Sequence, residues 1–362
     1  MIDPDEFARL AGRLMACPAA PYHESGVRTV VELICTEHGL KCARDPFGNV
    51  ILHLGHARAG RPLVLAAHLD HPGFEVMRSL GAGRWEAQFN GGVPDAYFRR
   101  GTLVRLLPGA TSARLGRRMG RSRRFELCVN GAAEVHAAHP QFAVWELEDF
   151  AVRKGRIHGR ACDDLIGVAA ILATFIELHR RRSRVHVIGV ISRAEEVGFH
   201  GALTVAAGSI LPKNSLVVSL ETSKELPPVR MGQGVIVRVG DRSSIFNSAA
   251  TRFLTEVAAG LQDGAFPFQR ALMPGGTCEA TAYQEHGFQT GAVCVALGNY
   301  HNCALRRRIA PEYVNVADAC GMVELLVAAA RQMPAFSRAV AELPLRLDGL
   351  LRQARRRLRQ CP

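Results

Sequence analysis

Five polar clusters interrupt otherwise apolar segments of the chain: His68-Leu69-Asp70, Asp163-Asp164, Glu195-Glu196, Glu221 and His301. Singly, each has an ordinary explanation. Asp163 suits a helix N-cap, His68 a hydrogen-bonded core imidazole, and Glu221 an isolated strand-end carboxylate. Together they are harder to place, because concentrated buried carboxylates repel one another unless a cation compensates. Two imidazoles and several carboxylates make a donor set suited to zinc, manganese or cobalt. A shared carboxylate bridges two such ions about 3.5–4 Å apart, and such a pair acidifies a water and polarises a carbonyl. A neighbouring carboxylate left free takes the water's proton. The doublet Glu195-Glu196 offers one residue for each task, since adjacent side chains point in different directions.

These residues need elements that converge. RPLVLAAHLDHPG is a short apolar strand, Leu63 to Ala67, ending in polar residues and glycine, as a buried strand delivers side chains to the edge of an α/β sheet. Helices are predicted over 4–16 and 25–38 and from Asp163 onward, where Leu165, Val168, Ile171, Leu172, Phe175 and Ile176 recur at helical spacing. Further helices are predicted over 198–207 and 247–260. VHVIGVIS, LVVSL and GAVCVAL read as strands, the last leading into GNYHN. A long apolar-faced helix is predicted from Val314 to Met333, then a loop around Pro344 and a last basic helix, LLRQARRRLRQ. Residues 74–158 lose the helical pattern and show short β-like stretches separated by glycine, proline and arginine. The expectation is an α/β fold with a mostly parallel central sheet and helices on both faces. Residues 1–73 and 159–362 would form that domain, and 74–158 an inserted, barrel-like β-rich one. The run Ala113 to Arg124 reads as a solvated hairpin tip.

Composition narrows the function classes. At 362 residues and 48% apolar, the chain can bury a large core without disulfide or metal staples. Its net charge of +12 is nearly all arginine, the lysines being Lys41, Lys154, Lys213 and Lys224. With no zinc-finger, RRM or basic-zipper pattern, nucleic acid is not expected as a partner. The ten cysteines form no C-x-x-C pair and sit mostly in apolar runs, which reads as reduced thiols. The opening MIDPDEFARLAGRLM has neither a signal-peptide pattern nor the apolar core of a span. A cytoplasmic location and no membrane partner are therefore expected.

The segments AAHLDHPG, GRACDDLIG, SRAEEVGFHGA, MGQGVIVRVGD and ALGNYHN, with the early ESGVR and DPFGNVIL, occur in an order that resembles the M42 family of metalloaminopeptidases (glutamyl aminopeptidase and endoglucanase-M-like), within the wider clan of M20, M28 and M42 zinc peptidases. The resemblance implies two divalent metal ions per chain, zinc first, with cobalt or manganese as alternatives. His68 and Glu221 would ligate one ion, Glu196 and His301 the other, and Asp163 would bridge them. Asp70 would orient His68, Asp164 would follow Asp163 across a cis peptide bond, and Glu195 would be the general base. The reaction implied is attack of an activated water on the carbonyl of a short peptide's N-terminal residue. A dimer or a dodecamer is also implied.

Two positions depart from the family pattern. Glu221 stands where aspartate is usual, and PGGTCEATAY places Cys278 where an aspartate is expected. The alternatives are another amide hydrolase of the clan (an N-acyl amino acid deacylase or a dipeptidase) and a non-catalytic scaffold retaining the fold. Arg306, Arg307 and Arg308 read as a solvated loop, or as a contact for a substrate carboxylate.

Overall fold

The central strands are Leu63–His68, His186–Ser192, Leu216–Lys224 and Gln289–Gly298, all apolar over most of their length and largely buried. Strands covered on both faces require that composition. They run parallel, in the order His186–Ser192, Leu63–His68, Leu216–Lys224, Gln289–Gly298. Antiparallel strands flank them and complete an 11-stranded sheet. The structure is a computed structural model that describes residues 2–55, 60–120, 122–129 and 140–360, without the side chains of 337–343.

Alternation along each strand feeds two cores. Leu63, Leu65 and Ala67 face one cluster, and Val64 and Ala66 face the other. The first face carries helices α1 (Pro4–Met15), α2 (Ser25–Glu37), α3 (Cys162–Arg180), α5 (Ser248–Ala259) and α7 (Val316–Gln360); the second carries α4 (His200–Ala207) and α6 (Glu279–Glu285). Helix α1 starts where the Asp3 carboxylate accepts from Asp5 N, and it buries Phe7, Leu10 and Leu14. Helix α3 is buried almost all round, as a helix without a polar stripe must be.

Strands Gly73–Gly81, Arg84–Asn90, Arg124–Val129, Thr111–Arg118, Leu103–Leu107 and Phe142–Trp145 close, in that order, into an antiparallel barrel. Aromatic rings fill it, with Phe74 edge-on to Trp145 at 5.0 Å and to Phe89 at 4.8 Å. The last strands of the β-rich stretch, Ala151–Arg153 and Arg156–Gly159, hydrogen-bond in the main sheet next to Glu312–Asn315. Arg121, within the expected hairpin tip, lies outside the described residues.

Helix α7 differs from expectation. It runs unbroken through Pro334 and Pro344 where a loop was expected. Each proline removes one backbone hydrogen bond and crowds the preceding turn. The flanking alanine, leucine, glutamate and arginine residues are strong helix formers and carry the helix across.

Candidate metal centre

The parallel strands end on one edge, and the chemistry collects there. His68 is the last residue of its strand, Glu195 and Glu196 follow the strand ending at Ser192, Glu221 lies near the end of its own, and His301 follows Gln289–Gly298. Asp163 enters from the first turn of α3, where φ −84° and ψ 109° depart from helical values, and the Asp163–Asp164 peptide is cis.

The donor atoms fall into two groups: His68, Glu195 and Glu221, and Asp163, Glu196 and His301. Within each group they lie within 4.8 Å of one another. Asp163 faces both. Its Oδ1 is 3.6 Å from His68 Nε2, and its Oδ2 is 3.6 Å from His301 Nε2. Glu196 Oε1 is 3.1 Å from His301 Nε2, and Glu195 Oε2 is 4.0 Å from His68 Nε2. The far ring nitrogens are engaged by backbone, His68 Nδ1 with Asp70 O at 3.1 Å and His301 Nδ1 with Gly92 O at 3.0 Å. That fixes the tautomers and turns both Nε2 lone pairs into the cluster.

Burial dominates the electrostatics. It raises Glu195 well above the usual carboxylate range and pushes Glu221 up to about 8. Burial also opposes the charge of Asp163, but the flanking His301 and His68 imidazoles outweigh it and hold its carboxyl well below the usual range. Conversely, burial disfavours imidazolium at His68 and His301, but the surrounding carboxylates overcome it and raise both. Asp163 Oδ1 and Glu221 Oε1 are buried with no hydrogen-bond partner among the described residues. Crowded carboxylates with orphaned oxygens, plus two imidazole lone pairs, fit divalent cations in N,O sites.

Several supports have no counterpart in the sequence reading. Glu312, buried, accepts from Asp163 N at 3.0 Å and from His301 N at 2.7 Å, tying the two loops together. The His301 bond holds a backbone whose φ of +53° is in the left-handed region. His71 spans Asp163 O at 2.7 Å and the Asn302 side-chain oxygen at 3.1 Å, and Asn302 Nδ2 donates to Arg160 O. The acidic doublet sits in a clamp of side-chain acceptors. Arg193 N donates to Asn49 Oδ1, Ala194 N to Glu24 Oε1, Glu195 N to Asp70 Oδ1 and Glu196 N to Asp70 Oδ2. Asp70 thus lies 3.6 Å from His68 Nδ1 and also grips the doublet. Asp45 accepts from Asn49, and Arg193 returns a hydrogen bond to Glu24, so the DPFGN turn and the ESG segment are parts of the clamp. In sequence, Glu312 shows only as a lone acid between Pro311 and Tyr313, and Glu24 only as part of the ESGVR segment, with no sign of what either holds.

A cavity of about 280 Å³ opens beside the cluster. Arg238, Met273, Thr277 and Cys278 form part of its wall. Arg238 is buried, and its Nε and Nη1 have no partner among the described residues. The nearby Asp241 is occupied by Ser243 N, Ser244 N, Cys278 N and Thr281 Oγ1. Cys278 is buried, and burial lifts its thiol well above the usual range, which disfavours a nucleophilic thiolate. Arg306, Arg307 and Arg308 are exposed and are not among the residues lining the cavity.

A sheet edge with N,O donor groups beside a cavity is the arrangement that a metal-dependent hydrolase requires. Residues 130–309 match the model of the M42 glutamyl aminopeptidase family. That segment, about half of the chain, matches a family of metal-dependent peptidases, and the chain is a metal-dependent peptidase of M42 type. Among solved structures, the fold is similar to the TET1 peptidase of Pyrococcus horikoshii (20% identity, TM-score 0.74, covering 91% of this chain and 99% of that one). It is also similar to an aminopeptidase of the archaeon Desulfurococcus kamchatkensis (20%, 0.73, 91% and 95%). A TET aminopeptidase from a marine-sediment Thaumarchaeota archaeon is a third match (19%, 0.76, 91% and 97%).

Proposed function

We propose that the chain is a di-metal aminopeptidase that removes N-terminal residues from short peptides. The observation that carries this reading is the position of Asp163, with one oxygen toward each imidazole. His68 and Glu221 would hold one ion, Glu196 and His301 the other, with Asp163 between. Zinc is the first candidate, and cobalt or manganese suit the same donors. When bound, the ions supply Lewis acidity that polarises the scissile carbonyl and acidifies a water. Glu195 accepts the proton of the attacking water and delivers it to the departing amine. Its raised proton affinity, caused by burial, suits that shuttle. Asp70 holds the His68 ring and the Glu195 backbone in one arrangement.

Arg238 on the cavity wall extends the reading to the substrate. A buried guanidinium whose Nε and Nη1 have no partner among the described residues calls for an anionic partner, and the fork geometry of arginine matches a carboxylate. An acidic first residue supplies one, in keeping with the glutamyl specificity in the family's description. Assembly into a homo-oligomer, a dimer or a dodecamer, is part of the reading; among the similar structures one is a dodecamer and another assembles into a tetrahedron or a large octahedral shell. A cytoplasmic location is part of the same proposal.

The test is a substrate panel. Peptides with a free N-terminal amine and an acidic or neutral first residue are compared with their N-acetylated forms and with N-acyl amino acids. Free-amine peptides should be cleaved and blocked ones not, and Arg238→Gln should selectively weaken acidic substrates. Turnover confined to N-acyl amino acids would move the protein to the deacylases. No turnover on any member would favour the scaffold alternative.

A further inference from the structure

The last turns of α7 take no part in the site. From Leu345 onward, every residue of the helix except the half-exposed Gly349 is exposed. Leu347, Leu350, Leu351 and Leu358 are 54%, 51%, 48% and 74% exposed, a large apolar display for a helix in water. At about 100° per residue, these leucines and Ala354 fall on one stripe. Arg352, Arg356 and Arg359 occupy the opposite side together with the exposed Leu345, and Arg346, Arg355 and Arg357 flank the stripe. Asp348 is the only acidic residue in this stretch. Among the described residues, none of these arginines has an ion pair or hydrogen bond, and neither face of the helix is covered by them.

Each class of partner leaves something different unmet. A second copy of the helix would cover the leucines but bring arginine against arginine. A nucleic acid would neutralise the arginines and leave the leucines in water. A protein groove would cover the stripe, but Arg352, Arg356 and Arg359 on the far side would gain nothing. An anionic bilayer surface meets both needs, because leucines sink to the acyl boundary while arginine stems reach up to the phosphates around them.

We propose that residues 345–360 of α7 are an interfacial helix that docks the enzyme on anionic phospholipid. The expectation of no membrane partner rested on the lack of a spanning segment, and among the described residues no helix is long and apolar enough to cross a membrane. An interfacial helix needs no such length.

The test is co-sedimentation of the full chain with vesicles of phosphatidylcholine alone and with about 30% phosphatidylserine, at low salt and at 0.5 M NaCl. Binding should require phosphatidylserine and weaken in salt. Neutralising Arg352, Arg355, Arg356 and Arg359 to Gln should reduce it by about tenfold or more, since each basic residue near such a surface contributes substantially. Leu351→Gln with Leu358→Gln should reduce it comparably, because glutamine keeps the helix and removes the apolar anchor. Peptidase turnover away from vesicles should be unchanged in both variants, which shows that they fold. Absence of vesicle binding, or equal binding to phosphatidylcholine alone, would overturn the proposal. So would full retention by the leucine variant. Loss of oligomeric state in the leucine variant without loss of lipid binding would assign the stripe to a second copy, and salt-sensitive RNA binding without lipid binding would assign the arginines to nucleic acid.

Discussion

Asp163 meets a demand that the other acids of the cluster do not, since its two oxygens address different imidazoles. Glu195 has a different position, close to His68 and raised by burial, which suits proton transfer more than permanent charge. Glu195→Gln is predicted to lower turnover by about 10²–10⁴-fold with metal content and fold retained, because only the proton carrier is lost. Full activity in that variant would reassign the base. A second carboxylate, Glu279, is buried behind the site, with one oxygen accepting from Ser192 Oγ and the other unpartnered among the described residues. Burial pushes it up to about 7. The folded protein therefore keeps a proton that the unfolded chain releases near pH 4.5. Stability from this group is complete below that pH and is lost as pH rises through about 7. In metal-free protein, Glu279→Gln should raise stability above pH 7 by up to about 3 kcal/mol, and the gain should vanish toward pH 4. Denaturant melts at pH 5 and pH 8 check this; an equal gain at both would show that the charge is not the cause.

At the scale of elements, the site depends on loops held by acceptors far away in sequence. Glu24 stands just before α2, yet it fixes Ala194 N and Arg193 beside the acidic doublet. Ala194 has φ +51°, so this loop is held against its own preference. Glu24→Gln turns one acceptor oxygen into a donor facing N–H groups. We expect kcat to fall between about tenfold and a hundredfold, with KM and metal content little changed. A change confined to KM would argue that Glu24 shapes the substrate pocket instead. The strands that deliver the site were legible because short apolar runs ending in polar residues have few other uses. The clamp was not, because Asn49, Glu24 and Asp70 meet only through sheet order, which local periodicity does not encode. Helix α7 exposes the opposite limit: Pro344 signals a break locally, while strong helix formers on both sides carry the helix through.

For the whole molecule, the two cores on either face of the sheet and the aromatic core of the barrel leave one polar edge where charge is concentrated. The β-rich texture of the barrel stretch was readable from its lost helical period, but closure depends on the pairing of Gly73–Gly81 with Phe142–Trp145, far apart in the chain. His68, Asp163, Glu196, Glu221 and His301 were readable as a group from residue type. Arg238 was not, because an arginine inside an apolar strand gives no sign that it faces a cavity. The centre is proposed to be a two-ion site, and metal content measured together with turnover tests that most directly. Protein purified without added metal or chelator should hold about two divalent ions per chain. Removing them should abolish aminopeptidase turnover, and adding back zinc, cobalt or manganese should restore it. Turnover that survives complete removal of metal, or a chain that neither holds nor regains metal, would contradict the proposed centre.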